Sequence, residues 1–344
     1  MKYTTLPNTD IKVSKICLGS MTFGEQNTKT QGHEQIDFAV DNGVNFIDTA
    51  ELYSIPAKAE TYGSTEKIIG SWLKKSGKRD EIILASKIAG PGIYTSHIRN
   101  TGFTKEAITE AIEGSLKRLQ TDYIDLYQLH WPSRPVNCFG LRSFPHEQFQ
   151  KKEENFVEVL ETLDSFIKQG KIRHLGLSNE TPWGLMKYAE ASKEHNLSRP
   201  ITVQNSYSLL HRSFETGLSE VSMQEDIGLL AYSPLAFGVL SGKYLDSVPK
   251  DARVTLFPNY NRYSSLQSEM AVREYLKIAQ RHNLTLVELS LAFVNQIPFV
   301  TSNIIGATKM SQLKENINSI YIELSEEVLR EINEVHTITP NPAP

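Results

Sequence analysis

Cysteine is scarce in this chain: Cys17 and Cys138 are the only two in 344 residues. That excludes a disulfide framework and any cysteine-based zinc centre. Long apolar runs are missing too, since no window approaches the 18 or so consecutive apolar residues of a membrane span. The opening Met1-Lys2-Tyr3-Thr4-Thr5-Leu6-Pro7-Asn8 holds no apolar stretch of signal-peptide length. The expectation is a soluble cytoplasmic protein. Positive charge is not in excess: 36 Lys and Arg against 40 Asp and Glu leave a formal charge of −4. Nucleic acid is therefore excluded as the main partner.

Familiar cofactor and metal signatures fail as well. No Gly-x-Gly-x-x-Gly occurs, which removes support for a Rossmann dinucleotide site. Gly238-Val239-Leu240-Ser241-Gly242-Lys243 is one residue short of a phosphate loop and puts Tyr244 where Ser or Thr belongs. His33-Glu34 and His146-Glu147 both lack the second histidine of a zinc protease, and none of the nine histidines is paired at metal-ligand spacing. No metal site is expected.

What is present is a globular composition, 40% hydrophobic and 22% charged. Short apolar runs recur at Ile16–Leu18, Asn45–Thr49, Ile82–Ser86, Tyr123–Leu129, Ile172–Leu177, Ile201–Asn205, Gly228–Tyr232 and Asn303–Ile305. Most do not alternate, as expected of strands buried on both faces of a parallel sheet. Helical stripes lie between them, among them Ile108, Ile112, Leu116 and Leu119, and Phe156, Leu160, Leu163 and Ile167. Thr104, Ser325 and Thr181-Pro182 read as helix starts, and Gly43 and Gly170 as helix ends. The length allows two ordinary domains or one large barrel. The eight-fold alternation without a composition break favours an α/β chain, a single (β/α)8 TIM barrel spanning 1–344.

Three stretches depart from the repeat. Residues 1–13 read as an N-terminal β-hairpin, and an extra C-terminal helical pair is expected over about 266–297. The long segments 131–152 and 235–265 follow the fourth and seventh barrel strands, which assigns both to the active-site face. Strand ends on that face deliver chemistry. Strand two ends in Asp48-Thr49-Ala50 with Tyr53 just beyond, strand three in Ser86-Lys87, and strand four in Leu129-His130-Trp131. A tyrosine is a poor acid at neutral pH, and a nearby Lys87 ammonium would lower its pKa. Asp48 would hold Lys87 by a salt bridge, and His130 would fix a carbonyl oxygen beside the Tyr53 hydroxyl. Taken singly, each of these residues reads as readily as a structural ion pair, a cap or a core aromatic.

At these residues the sequence resembles the aldo-keto reductase superfamily. The segments are Asp48-Thr49-Ala50-x-x-Tyr53, Ala85-Ser86-Lys87, the run Asp122 to Pro132 around His130, and Gly176-Leu177-Ser178-Asn179. Gln204-Asn205, Ala231-Tyr232-Ser233-Pro234-Leu235 and Ile305-Gly306-Ala307-Thr308 follow in the same order, so the likeness covers about residues 3–338. Gly19 to Gln26, Asn137-Cys138-Phe139-Gly140 and the tail Pro342-Ala343-Pro344 look most like the bacterial Tas-type reductases within it.

The resemblance implies NADP(H) bound in extended form and a small-molecule carbonyl substrate. It makes Tyr53 the general acid, tuned by Lys87 and Asp48, with His130 orienting the substrate. Ser178, Asn179 and Gln204 match the positions that hold the carboxamide, and Tyr232 the ring that stacks on the nicotinamide. Gly19, Ser20 and Met21 flank it. Ser233, Pro234, Leu235, Gly238, Ser241, Lys243 and Arg253 lie where the family wraps the pyrophosphate. Gly306, Thr308, Gln312, Glu315 and Asn316 match the adenosine side. Trp131 and Tyr207 are expected to line the substrate pocket.

Two departures from the family pattern stand out. Residues 54–62 are inserted beside Tyr53, and Gln312 stands where many members have an arginine for the 2′-phosphate, leaving Lys243, Arg253 or Lys309 to supply the charge. Some relatives are potassium-channel β subunits, so an NADP(H)-binding, redox-sensing interaction module with little turnover is the competing function. No helix shows an apolar exposed face, so an oligomer finds no support in the sequence.

Overall fold

The computed structural model of the chain describes residues 1–343. Two short strands open it, β1 (Tyr3–Thr5) and β2 (Lys12–Ser14), paired antiparallel with Tyr3 opposite Ser14. Asn8, in the turn between them, takes the left-handed conformation at φ 57° that asparagine tolerates. Eight further strands follow: β3 (Ile16–Gly19), β4 (Phe46–Asp48), β5 (Ile83–Ile88), β6 (Ile124–Leu129), β7 (Ile172–Ser178), β8 (Pro200–Ser206), β9 (Gly228–Tyr232) and β10 (Val300–Ile305). They close into a barrel in the order β10-β3-β4-β5-β6-β7-β8-β9, every neighbouring pair parallel. Each expected apolar run falls on one of these strands.

The helices are α1 (Lys29–Asp41), α2 (Ser64–Ser76), α3 (Lys105–Leu119), α4 (Phe156–Lys168), α5 (Pro182–Glu194), α6 (Leu218–Gln224), α7 (Arg253–Leu256), α8 (Leu266–Arg281), α9 (Leu286–Gln296), α10 (Met310–Asn318) and α11 (Glu326–Ile338). Their starts are chemically marked. The side chains of Thr104, Thr181 and Ser325 accept from the amides of Ala107, Gly184 and Val328, with Pro182 in the first turn of α5. Gly43 and Gly170 follow α1 and α4 at φ 83° and 73°, a left-handed stop that other residues adopt only with strain. The expected extra pair is α8 and α9.

Two layers of core result. Between barrel and helices lies the larger one, which takes up the Ile108, Ile112, Leu116 and Leu119 stripe of α3. Inside the barrel, Cys17, Phe46, Ala85, Leu126, Ile201, Leu230 and Ile304 pack against Leu6 and Val13 of the hairpin. The hairpin therefore plugs the N-terminal end. Since strand side chains alternate, the next inward positions after Phe46, Ala85, Leu126 and Leu230 are Asp48, Lys87, Gln128 and Tyr232. An apolar lower barrel thus passes to a polar upper one within two residues. No helix among the described residues is long and apolar enough to cross a membrane.

Candidate active site

The polar layer is tightly bonded. Lys87, wholly buried, donates from Nζ to Asp48 Oδ2 at 2.6 Å and to the Thr49 carbonyl at 2.7 Å. The other Asp48 oxygen, Oδ1, accepts from Gln204 Nε2 at 2.8 Å and from Gln128 Nε2 at 3.2 Å. A buried charge pair is costly unless further hydrogen bonds support it, and here the Thr49 carbonyl, Gln128 and Gln204 do so. Gln128 is the member that sequence reasoning missed. Its signal was present, as it stands two residues after the inward Leu126.

Tyr53 and His130 stand above this layer. The Lys87 ammonium lies 5.1 Å from the centre of the Tyr53 ring, and the rings of Tyr53 and His130 meet edge to face at 5.6 Å. Here the structure corrects an expectation. Burial and the Asp48 charge push the Tyr53 phenol above its usual 10, and the opposing pull of Arg253 is weaker. The positive charge expected to lower it is neutralised by Asp48, so the net field at the phenol is not that of a bare lysine. Burial, and secondarily the Lys87 charge, hold the His130 imidazole well below 6.5. Tyr53 is thus a protonated donor and His130 a neutral ring, whose buried Nδ1 has no partner among the described residues.

These groups form the floor of a cavity of about 1280 Å3 at the C-terminal end of the barrel. A typical small-molecule pocket is about 300–1,000 Å3, so this one has room for more than a single small ligand. Asp48, Tyr53 and His130 line it, and Lys87 sits behind Asp48. Ser178 donates to the Gln204 carbonyl at 2.8 Å, and Asn179 to the His130 carbonyl at 2.9 Å. Tyr232 donates to Asn179 Oδ1 at 2.7 Å, which fixes its ring against the wall. Every residue expected on the cofactor side, from Gly19, Ser20 and Met21 through the β9 loop to Gly306, Thr308, Gln312, Glu315 and Asn316, lines this one cavity.

The far end of the cavity is cationic. Lys243, Arg253 and Lys309 converge there, and burial followed by the charges of Arg253 and Lys309 depresses the Lys243 ammonium below its usual range. A Cβ on Gly238 would stand 2.8 Å from Lys243 Nζ, and its φ of 89° excludes most side chains as well. Gln312 is not a phosphate ligand of the arginine kind. Its Oε1 accepts from the amides of Thr308 and Lys309 at 3.1 and 3.3 Å and so caps α10.

Trp131 lines the cavity as expected, but Tyr207 does not. With Gln204 pointing inward, Tyr207 falls on the opposite parity and faces the helices. It stacks on Phe293, meets Phe299 edge to face at 5.5 Å and donates its hydroxyl to Glu215. The inserted 54–62 segment reaches the mouth through Ile55 and Pro56, and the Ile55 amide donates to the Met21 carbonyl at 3.0 Å. Tyr94, Tyr260 and Arg262 also line the cavity, from the loops after β5 and β9, although the sequence singled out none of the three. The first two share a 2.6 Å hydroxyl bridge between those loops.

Residues 15–337 match the family model described as the aldo/keto reductase family. The chain is 48% identical over the full length of both proteins to Protein tas of Escherichia coli. It is 38% identical to an aldo-keto reductase of Babesia bovis, over 74% of this chain and 96% of that protein. A Bacillus subtilis protein named uncharacterized oxidoreductase YrpG is 32% identical, over 97% of this chain and 96% of its own. The chain belongs to the aldo/keto reductase family, and so to the oxidoreductases that act on carbonyl compounds with nicotinamide cofactors.

Proposed function

We propose that this chain reduces an aldehyde or ketone to the alcohol with NADP(H), with Tyr53 as general acid and the whole chain as one catalytic unit. The observation that carries this reading is the layered floor, in which a buried Asp48–Lys87 pair lies beneath a protonated Tyr53 and a neutral His130 at the base of a large cavity. The residues present fit a nicotinamide dinucleotide phosphate. The cationic end formed by Lys243, Arg253 and Lys309 suits phosphates, Tyr232 offers a ring face, and Ser178, Asn179 and Gln204 offer polar groups for an amide. The preference for the phosphorylated cofactor rests on those three cations, since Gln312 is occupied as a cap.

When bound, the nicotinamide supplies hydride to the carbonyl carbon. Tyr53 holds its proton throughout the neutral range and delivers it to the carbonyl oxygen, which becomes the hydroxyl of the product. Arg253 is the cation that favours the phenolate left behind, while Lys87, held by Asp48, stands at its ring and fixes the floor beneath it. His130, being neutral, orients the oxygen by a hydrogen bond rather than by charge.

Turnover of a carbonyl panel, set beside a cofactor titration, tests this. Carbonyl-dependent NADPH oxidation that collapses in Tyr53→Phe while the cofactor Kd holds supports the reading. Tight NADP(H) binding with negligible turnover on every carbonyl would replace it with the redox-sensing module.

A further inference from the structure

Arginines in this fold are paired. Arg79 and Arg173 share Asp125, and Arg99, Arg118, Arg134 and Arg212 each hold a glutamate. On the surface Arg142 donates to backbone carbonyls of the C-terminal tail instead. Among the described residues only Arg253 and Arg262 lack such acceptors, and both line the cavity. Arg253 stands with Lys243 and Lys309 at the proposed cofactor end. Arg262 has a different setting.

The Arg262 guanidinium is surrounded by rings and phenols. It lies 4.6 Å from the centre of the Tyr263 ring, 5.8 Å from Tyr232 and 5.9 Å from Phe237, and it donates to the Tyr263 hydroxyl. Its Nε is buried without a partner. Such stacking holds a guanidinium plane in place but leaves its charge uncompensated, and a partly buried cation of that kind is costly until an anion meets it. The position is reached from the reacting centre along one wall. His130 packs on Trp131 at 4.9 Å, Trp131 on Phe139 at 5.6 Å, and a Cβ on the next residue, Gly140, would lie 3.6 Å from Arg262 Cβ.

We propose that Arg262 anchors an anionic group on the substrate, so that the favoured carbonyls carry a carboxylate or a phosphate at the end away from the reacting carbon. This rests on the carbonyl-reductase reading given above. An apolar and aromatic wall between the two ends suits a short carbon chain, with the carbonyl at Tyr53 and His130 and the anion at the guanidinium. A charge-assisted contact of this kind discriminates by about ten- to a hundredfold.

The test compares aliphatic aldehydes of one chain length ending in methyl, carboxylate or phosphate. The protein should show kcat/KM at least tenfold higher for one of the anionic pair, and the better of the two identifies the anion. Arg262→Leu should shrink the anionic-to-neutral ratio at least tenfold, with Arg262→Lys restoring part of it. An equal loss on all three aldehydes, or a loss that appears as weakened NADPH binding, overturns the assignment. So does the absence of any anionic preference in the unaltered protein. A second measurement needs no turnover: glutarate binding to the NADP+-loaded protein, read by tryptophan fluorescence, should weaken at least tenfold in Arg262→Leu. Diamide in place of diacid should not bind. If glutarate binds through Arg262 while no carbonyl turns over, the reductase reading falls and the anion site stands. If aldehydes turn over without an anionic preference and glutarate does not bind, the reverse holds.

Discussion

The floor and the rim of the cavity follow opposite rules. On the floor, Asp48, Lys87, Gln128 and Gln204 bond to one another, so the protein alone balances the buried charge. At the rim, Arg253 and Arg262 carry charge that no acid of the described residues answers, and Lys243 is pushed toward neutrality by burial and then by its cationic neighbours. The floor's charge is balanced at folding, whereas the proposed function leaves the rim's charge to be met by ligands. Substitutions on the floor should therefore damage chemistry and stability, and those at the rim should damage binding while leaving stability nearly intact.

The largest expected effect removes the reacting hydroxyl. Tyr53→Phe should lower kcat for carbonyl reduction by about 10²–10⁴-fold, with NADPH affinity within a factor of about two. A steady-state assay with a fluorescence titration checks both. Next comes Lys87→Met, which strands Asp48 in the barrel interior and should cost about 3–5 kcal/mol of stability by urea unfolding. Adding Asp48→Asn should recover part of that loss, because the interaction and not the individual side chain is being measured. At the rim, Arg253→Leu should weaken NADPH binding by about tenfold or more and NADH binding less, while the urea midpoint stays close to that of the unaltered protein. A loss of stability matching that of Lys87→Met would erase the distinction between floor and rim.

The smallest effect concerns His211, which lies beneath the rim beside Ser206. Burial, then the Arg262 charge, holds its pKa down to about 3. A histidine depressed in the folded state takes up a proton more readily once unfolded, so stability falls as pH drops below about 6.5 toward 3. At pH 5 the contribution is on the order of 1–2 kcal/mol. Urea titrations between pH 7 and 5 should show a shallower decline for His211→Asn.

The barrel was readable because strands buried on both faces need unbroken apolar runs, and helix starts such as Thr181-Pro182 carry local chemistry. Strand ends then placed Asp48, Tyr53, Lys87 and His130 together at one end of the barrel. Tyr207 went wrong because nearness to a strand end was counted and parity was not. The irregular register between β7 and β8 makes parity on β8 hard to read from sequence. Gln128 was missed for the converse reason, as parity alone would have marked it. The Tyr53 phenol was misjudged because a lysine's field depends on its partner, and Asp48 lies 39 positions from Lys87 in the chain. Arg262 lies in the 235–265 segment that the sequence assigned to the active-site face, but its missing partner could not be read there. Lacking an acid is a property of the folded surroundings, and no pattern of neighbours in the chain records it.

The hairpin plug bears on access. With Leu6 and Val13 sealing the N-terminal end, anything reaching the floor travels through the C-terminal rim and leaves the same way. Under the proposed function, cofactor and substrate therefore share a single doorway, and product leaves past the same loops that admit substrate. The residues that close the base of the barrel, far from any reacting atom, thereby leave all exchange to one face of the molecule.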